Sequence, residues 1–322
     1  MYFPYLRGRQ NELLCLRELL EQDLLSTKII PVIEPVRCSS TLFSTLSKFV
    51  ENGRDIIVIK NPKVGHFEKE GKELCEKIQM GKESDKKDKD EKKLEVYRKI
   101  WEDEHIVPAY ICDDEIITKC KNKEIPISNV VLINKNLEYF EEYEEDYEKL
   151  SAKYTLVPDN RAFMKRIEGG KVVLEDSYIK EKRNIDYITK PDTFFSRNHL
   201  DFKEDRLVGF SDYSIVGNEY EESGFAPLAV AIHILYFTKR NEIRIHHFVS
   251  DSNENISDPA RKFAEAMENL IDWENFTEIP KTYGLRRLLE YYDTGKFPGL
   301  GIVKKYSIMH HMEMIGTFLE EN

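Results

Sequence analysis

Short β-branched, apolar runs alternate along this chain with stretches whose apolar positions recur at helical spacing. The runs are Tyr2–Leu6, Ile29–Glu34, Asp55–Lys60, Ile106–Ile111, Val130–Asn134 and Tyr154–Pro158, followed later by Leu207–Asp212 and Leu228–Phe237. Between them, Asn11–Gln22 carries Leu13, Leu14, Leu16, Leu19 and Leu20 close to a 3.6-residue period, and Ser40–Glu51 does the same with Leu42, Leu46, Phe49 and Val50. This alternation predicts parallel strands joined by crossover helices. Eight such strands, and no G-x-G-x-x-G turn after any of them, favour an α/β fold of the (β/α)8 TIM-barrel-like kind over an open sheet.

Two interruptions modify that rhythm. Residues 81–95 are rich in Lys, Asp and Glu and read as an insertion. Residues 160–206 leave the βα pattern: Gly169-Gly170 reads as a hairpin turn between Phe163–Ile167 and Lys171–Leu174, and a polar, aromatic-dotted loop follows. An excursion of that length after the sixth strand would overhang the barrel. After Leu228–Phe237, a second run, Ile243–Val249, extends the sheet as a hairpin. Asp258 and Pro259 then open a helix, and two further helices are split by Gly295–Gly299. The expected division is a barrel domain over 1–255 and a helical extension over 256–322 packed on it.

Composition narrows the classes. With 322 residues and 41% hydrophobic content, the chain can fill a large core. Its apolar runs stop well short of the roughly 18 residues of a membrane span, and no signal peptide is visible, so the cytoplasm is the expected compartment. Five scattered cysteines lack C-x-x-C spacing and read as reduced thiols. A net charge of −11 argues against a broad basic grip on nucleic acid. Much of that acidity lies in Glu138–Glu148, among Tyr139, Phe140, Tyr143 and Tyr147, which reads as a solvated helix face.

In parallel α/β folds, ligands bind beyond the carboxyl ends of the strands. Those ends carry Arg7 and Arg9, Glu34, Lys60 and Asn61, Asp113 and Asp114, Asn134 and Lys135, Asp159 and Arg161, then Ser211 and Asp212. Period-2 alternation puts Glu34 with Ile30 and Val32, Lys60 with Ile56 and Val58, and Asp212 with Val208 and Phe210. The expected pocket sets Arg7, Arg9, Lys60 and Arg161 against Glu34, Asp159 and Asp212. The cations would hold phosphate or carboxylate, and an acid would serve as base or ligate a metal such as Mg. His233, inside Val-Ala-Ile-His-Ile-Leu-Tyr, reads as a core histidine or as a base reaching the pocket. Arg183 stands in the polar loop as a further ligand contact. His246-His247 and His310-His311 read as structural pairs. No G-x-S-x-G, Walker or H-E-x-x-H motif is present.

The segments Tyr2-Phe3-Pro4-Tyr5-Leu6-Arg7-Gly8-Arg9-Gln10-Asn11-Glu12 and Ile30-Pro31-Val32-Ile33-Glu34-Pro35 resemble the opening of the phage beta-protein-like ("beta family") proteins of bacteria and phages. Leu174–Tyr187 and Gly209-Phe210-Ser211-Asp212-Tyr213 are similar to that family too. The resemblance picks out Arg9, Glu12, Glu34, Asp176, Arg183, Asn184 and Asp212, and it brings no reaction with it. It implies an accessory protein of mobile elements or anti-phage loci, beside a nuclease-like protein from a neighbouring gene. Two functions are therefore expected. One is a barrel that binds a phosphate-containing ligand, a nucleotide or nucleic-acid end, with metal-assisted hydrolysis. The other is a non-catalytic scaffold whose acidic helix or C-terminal helices dock that partner.

Overall fold

The computed structural model describes residues 1–80, 95–136, 152–167, 169–222 and 226–322. Most of the expected insertion and the whole acidic stretch Glu138–Glu148 lie outside them. Eight parallel strands form one sheet: β1 (Tyr5–Leu6), β2 (Val32–Ile33), β3 (Ile56–Ile59), β4 (Ile106–Ile111), β5 (Val131–Ile133), β6 (Tyr154–Val157), β7 (Lys171–Glu175) and, after one strand placed elsewhere, β9 (Gly209–Asp212). The sheet curls until its ends meet. Tyr2 bridges to Ile29 on one side and to Phe210 on the other, while Phe3 N donates to the Phe210 carbonyl at 2.9 Å and Phe210 N to that of Met1 at 3.1 Å. The result is the (β/α)8 barrel that the alternation predicted.

The barrel wall is apolar on both faces, which is why its strands read as continuous hydrophobic runs. Phe3, Tyr5, Val32, Ile57, Ile59, Ala109, Ile133 and Leu174 fill the interior. Ile56, Val58, Phe210 and their neighbours pack outward against the helices. Those helices begin where the sequence supplies caps. Ser39 accepts from Leu42 N at 3.2 Å to start Ser40–Glu51, and Asp113 accepts from Ile116 N at 2.9 Å to start Asp114–Lys121. Glu12 folds back from the first turn of Gln10–Glu21 to accept Arg7 N at 2.7 Å.

One of the last two barrel strands is not the one expected. Gly169 and Gly170 do take positive φ, 71° and 61°, but they join a helix to a strand. Asn160 caps a helix at Arg161–Arg166, and Lys171–Glu175 pairs in parallel with β6 as the seventh strand. A Gly-Gly turn permits the left-handed backbone that either connection needs, so the pair alone could not decide between them. Leu207–Asp212 then supplies the eighth strand. Leu228–Phe237 joins no barrel: β8 (Asp192–Ser196), β10 (Ala231–Phe237) and β11 (Ile243–Val249) form a separate antiparallel sheet in the order β10-β11-β8. The hairpin therefore builds its own sheet.

The helix Leu300–Glu321 lies between this second sheet and the barrel's flank. It packs on Gln10–Glu21, on Tyr283–Asp293 and on β10, burying Tyr306, Ile308, Met309, Met312 and Ile315. This helix is thus largely core to the chain itself. No described helix is long and apolar enough to cross a membrane.

Candidate functional site

Alternation along each barrel strand now fixes which strand-end residues face the interior. Tyr5 faces in, so Arg7 does. Val32 puts Glu34 there, Ile59 puts Asn61, Ile111 puts Asp113, Ile133 puts Lys135 and Leu174 puts Asp176, with Tyr213 following β9. Asn61 spans to β4, donating to the Ile111 carbonyl at 2.8 Å and accepting from Ile111 N at 2.9 Å.

At the centre is a buried ion pair. The Arg7 guanidinium meets the Glu34 carboxylate, with the two side chains 4% and 1% exposed. Glu34 also accepts from the Tyr5 hydroxyl at 2.7 Å and from Lys63 N at 2.8 Å. The other end of Arg7 donates to the Asn218 carbonyl, which ties the segment after β9 across the mouth. Arg7 also lies over the Tyr5 and Tyr213 rings, 5.2 and 5.3 Å from their centroids.

Lys135 borders this pair. Its Nζ is 3.3 Å from the Tyr5 hydroxyl and 4.6 Å from the Tyr5 ring centroid. Solvent reaches the side chain, yet the protein crowding its ammonium pushes the amine down to about 8, against the opposing pull of Glu34. Asp176 completes the set. Burial raises its carboxyl, while Asn218 N, donating at 3.0 Å, and Arg7 hold it down.

The expected pocket is not assembled, because five of its seven members lie elsewhere. Lys60 points outward, its Nζ 3.5 Å from the centroid of Trp101, and that burial pushes it down to about 8. Asp212 also faces outward, accepting from the Tyr2 hydroxyl at 2.8 Å and from Ser214 N at 2.7 Å. Burial raises its carboxyl to about 6. Asp159 and Arg161 are exposed at the end of β6. Arg183 is exposed and paired with Asp186 at 2.6 Å. Arg9 stacks on Tyr220 at 4.9 Å and donates to the Glu221 carbonyl. His233 sits on the second sheet. Only Arg7 and Glu34 share the interior mouth; Lys135 and Asp176, absent from the expected set, join them. The sequence carries no signal for them, because alternation groups the residues of one strand without saying which face is the interior.

Among the described residues, no three His, Cys, Asp or Glu side chains converge as a metal-binding group. Glu34, Asp159 and Asp212 lie on different faces of the wall, so these acids do not fit the magnesium site expected of them. No protein-family model, curated protein or solved structure matches this chain.

Proposed function

We propose that this protein binds a phosphate-containing ligand at the C-terminal mouth of its barrel, with Lys135 as the anion contact. One observation carries the reading. The other charged groups at the mouth are committed: Arg7 to Glu34, Lys63 to Asp113 at 2.7 Å, Asp176 to Asn218 N. Among the described residues, no carboxylate pairs with Lys135. An exposed lysine whose ammonium lies against aromatic rings and pairs with no described carboxylate suits an incoming phosphate oxygen.

If the ligand is hydrolysed, Asp176 is the proton-transfer group and Glu34 is a positioning residue. The Glu34 oxygens are already occupied by Arg7, Tyr5 and Lys63 N, whereas burial raises the Asp176 carboxyl above its ordinary value and Asn218 N is its one contact from across the mouth. The phage-defence setting and a nuclease-like partner belong to the same proposal and rest on the resemblance of the opening segments.

The test is calorimetric titration of the full chain with inorganic phosphate and with ATP, alongside a phosphate-release assay. Lys135→Met should weaken binding by about tenfold or more with the fold intact. Asp176→Asn should retain binding and lose any release. Unchanged binding in Lys135→Met would remove the basis of the reading.

A further inference from the structure

The excursion after β7, the second sheet and the C-terminal helix enclose a cavity of about 220 Å3 that includes none of the interior strand ends. One wall is a row of hydrogen-bonded rings. Tyr187 and Tyr178 share a bond of 2.6 Å, Tyr178 reaches His233 Nε2 at 3.1 Å, and His233 Nδ1 meets His247 Nδ1 at 2.8 Å. A single direction of donation satisfies the row: Glu181 N–H to Tyr187, Tyr187 to Tyr178, Tyr178 to His233 Nε2, and His233 Nδ1–H to His247. Both histidines are then neutral, in keeping with burial pushing His233 well below its ordinary value and His247 down to about 4. This wall asks nothing of a ligand.

The opposite wall does. Ser307, 1% exposed, turns into the cavity with no hydrogen-bond partner for its hydroxyl. A buried hydroxyl left unpaired costs free energy that a bound acceptor would recover. One turn earlier on the same helix, Lys304 lines the cavity, and no carboxylate pairs with it among the described residues. Burial lowers its amine; Arg9 and Lys180 lower it further, and Glu12 opposes them. The remaining lining is an aliphatic patch of Ile215, Val216, Ala231, Leu300 and Val303 together with the polar residues Lys180, Glu181 and Asn184, so one acid and a second cation also border the space. At about 220 Å3 the space is below the roughly 300–1,000 Å3 of sites for drug-sized ligands.

We propose that this cavity is a second binding site, for a small carboxylate with a short apolar body, held by Lys304 and Ser307 with its tail against Ile215, Val216 and Val303. Lys304 supplies the counter-charge, Ser307 donates to a carboxylate oxygen, and the aliphatic patch discriminates against inorganic anions.

Titration of the full chain with sodium butyrate, butyramide and inorganic phosphate tests this. Butyrate should bind, and butyramide, isosteric and uncharged, should bind at least about tenfold more weakly, the size of a lost charge-assisted hydrogen bond. Ser307→Ala, which removes one oxygen, should weaken butyrate by about tenfold or more, the size of one hydrogen bond to a charged acceptor. Lys304→Met should abolish butyrate binding. Should Lys304→Met fail to fold, Ser307→Ala and the butyrate–butyramide contrast decide the matter. Absence of butyrate binding, equal binding of butyramide, or butyrate binding untouched by Ser307→Ala would each overturn the site. Phosphate reads the barrel mouth instead, so either site can fail while the other stands.

Discussion

Arg7 and Glu34 form an ion pair across the first two barrel strands, with both side chains at most 4% exposed. A buried pair of this kind is asymmetric in its consequences. Removing one member strands the other charge out of water, whereas replacing both by apolar groups removes the desolvation penalty along with the attraction. Glu34→Ala should therefore destabilise the protein by about 3–5 kcal/mol, and the double variant Arg7→Met/Glu34→Leu should recover most of that loss. Urea unfolding of the unsubstituted chain and the two variants is the measurement. The double variant also releases the Asn218 carbonyl, so amide exchange should quicken in the segment after β9 even where stability is restored.

Lys135 makes the complementary case, because its side chain is exposed and it anchors nothing essential to the core. Lys135→Met should leave the unfolding midpoint nearly unchanged. Its effect belongs to ligand affinity, which should fall by about tenfold or more, as for the loss of one charge-assisted contact. A large stability loss without a change in phosphate affinity would make Lys135 structural.

The same pair of residues explains what the sequence disclosed and what it hid. Eight strands and their helices are legible because each run is short, apolar and bounded by turn residues. The direction each strand end faces is not legible, because Ile56 to Ile59 are all fully buried and no polar stripe marks the solvent side. Glu34 could be assigned to a face together with Val32, but whether that face was the barrel interior could not. Lys60 and Asp212 met the same criterion and lie outside. Lys135 escaped because β5 has only three residues, too few for alternation to mark its face, and Asp176 because its strand was taken for half of a hairpin.

Buried neutral histidines should make the fold sensitive to acid. His310 donates from Nε2 to the Leu235 carbonyl at 2.6 Å and accepts from the Thr282 hydroxyl at 2.7 Å, so a second proton would face a donor. Burial pushes His310, His247 and His199 down to about 4 and His311 to about 3. With the folded value below the unfolded one near 6.5, the unfolded chain binds more protons in the interval, and stability falls as pH drops from about 6.5 toward 4. Asp212, raised to about 6, has the opposite slope between about 4 and 6, but it is one group against four. Unfolding midpoints at pH 7, 6 and 5 should decline. His310→Gln, which can still donate to Leu235, should flatten the decline by about one proton's worth. A midpoint that rises on acidification would contradict the assignment of neutral imidazoles.

Closure of the barrel rests on a close backbone approach at its seam. A Cβ built on Gly209 would lie 2.4 Å from the Met1 carbonyl oxygen and 2.7 Å from the Phe3 ring. That same carbonyl accepts Phe210 N, and Phe3 N returns the bond to Phe210, so the chain's first residues are the surface against which the last barrel strand seals. Gly209 has no need of a left-handed backbone; the requirement is space alone. Gly209→Ala must push the Met1 carbonyl away, and with it the hydrogen bonds that join β9 to the first strand. Overpacking at a rigid site costs about 1–3 kcal/mol, and the cost here adds to the lost seam bonds. The expected signature is local: faster amide exchange at Phe3 and Phe210, with exchange at β4 and β5, on the far side of the barrel, rising only as far as the global stability falls. Uniformly faster exchange with no excess at those two amides would show that the seam is not where the strain is absorbed.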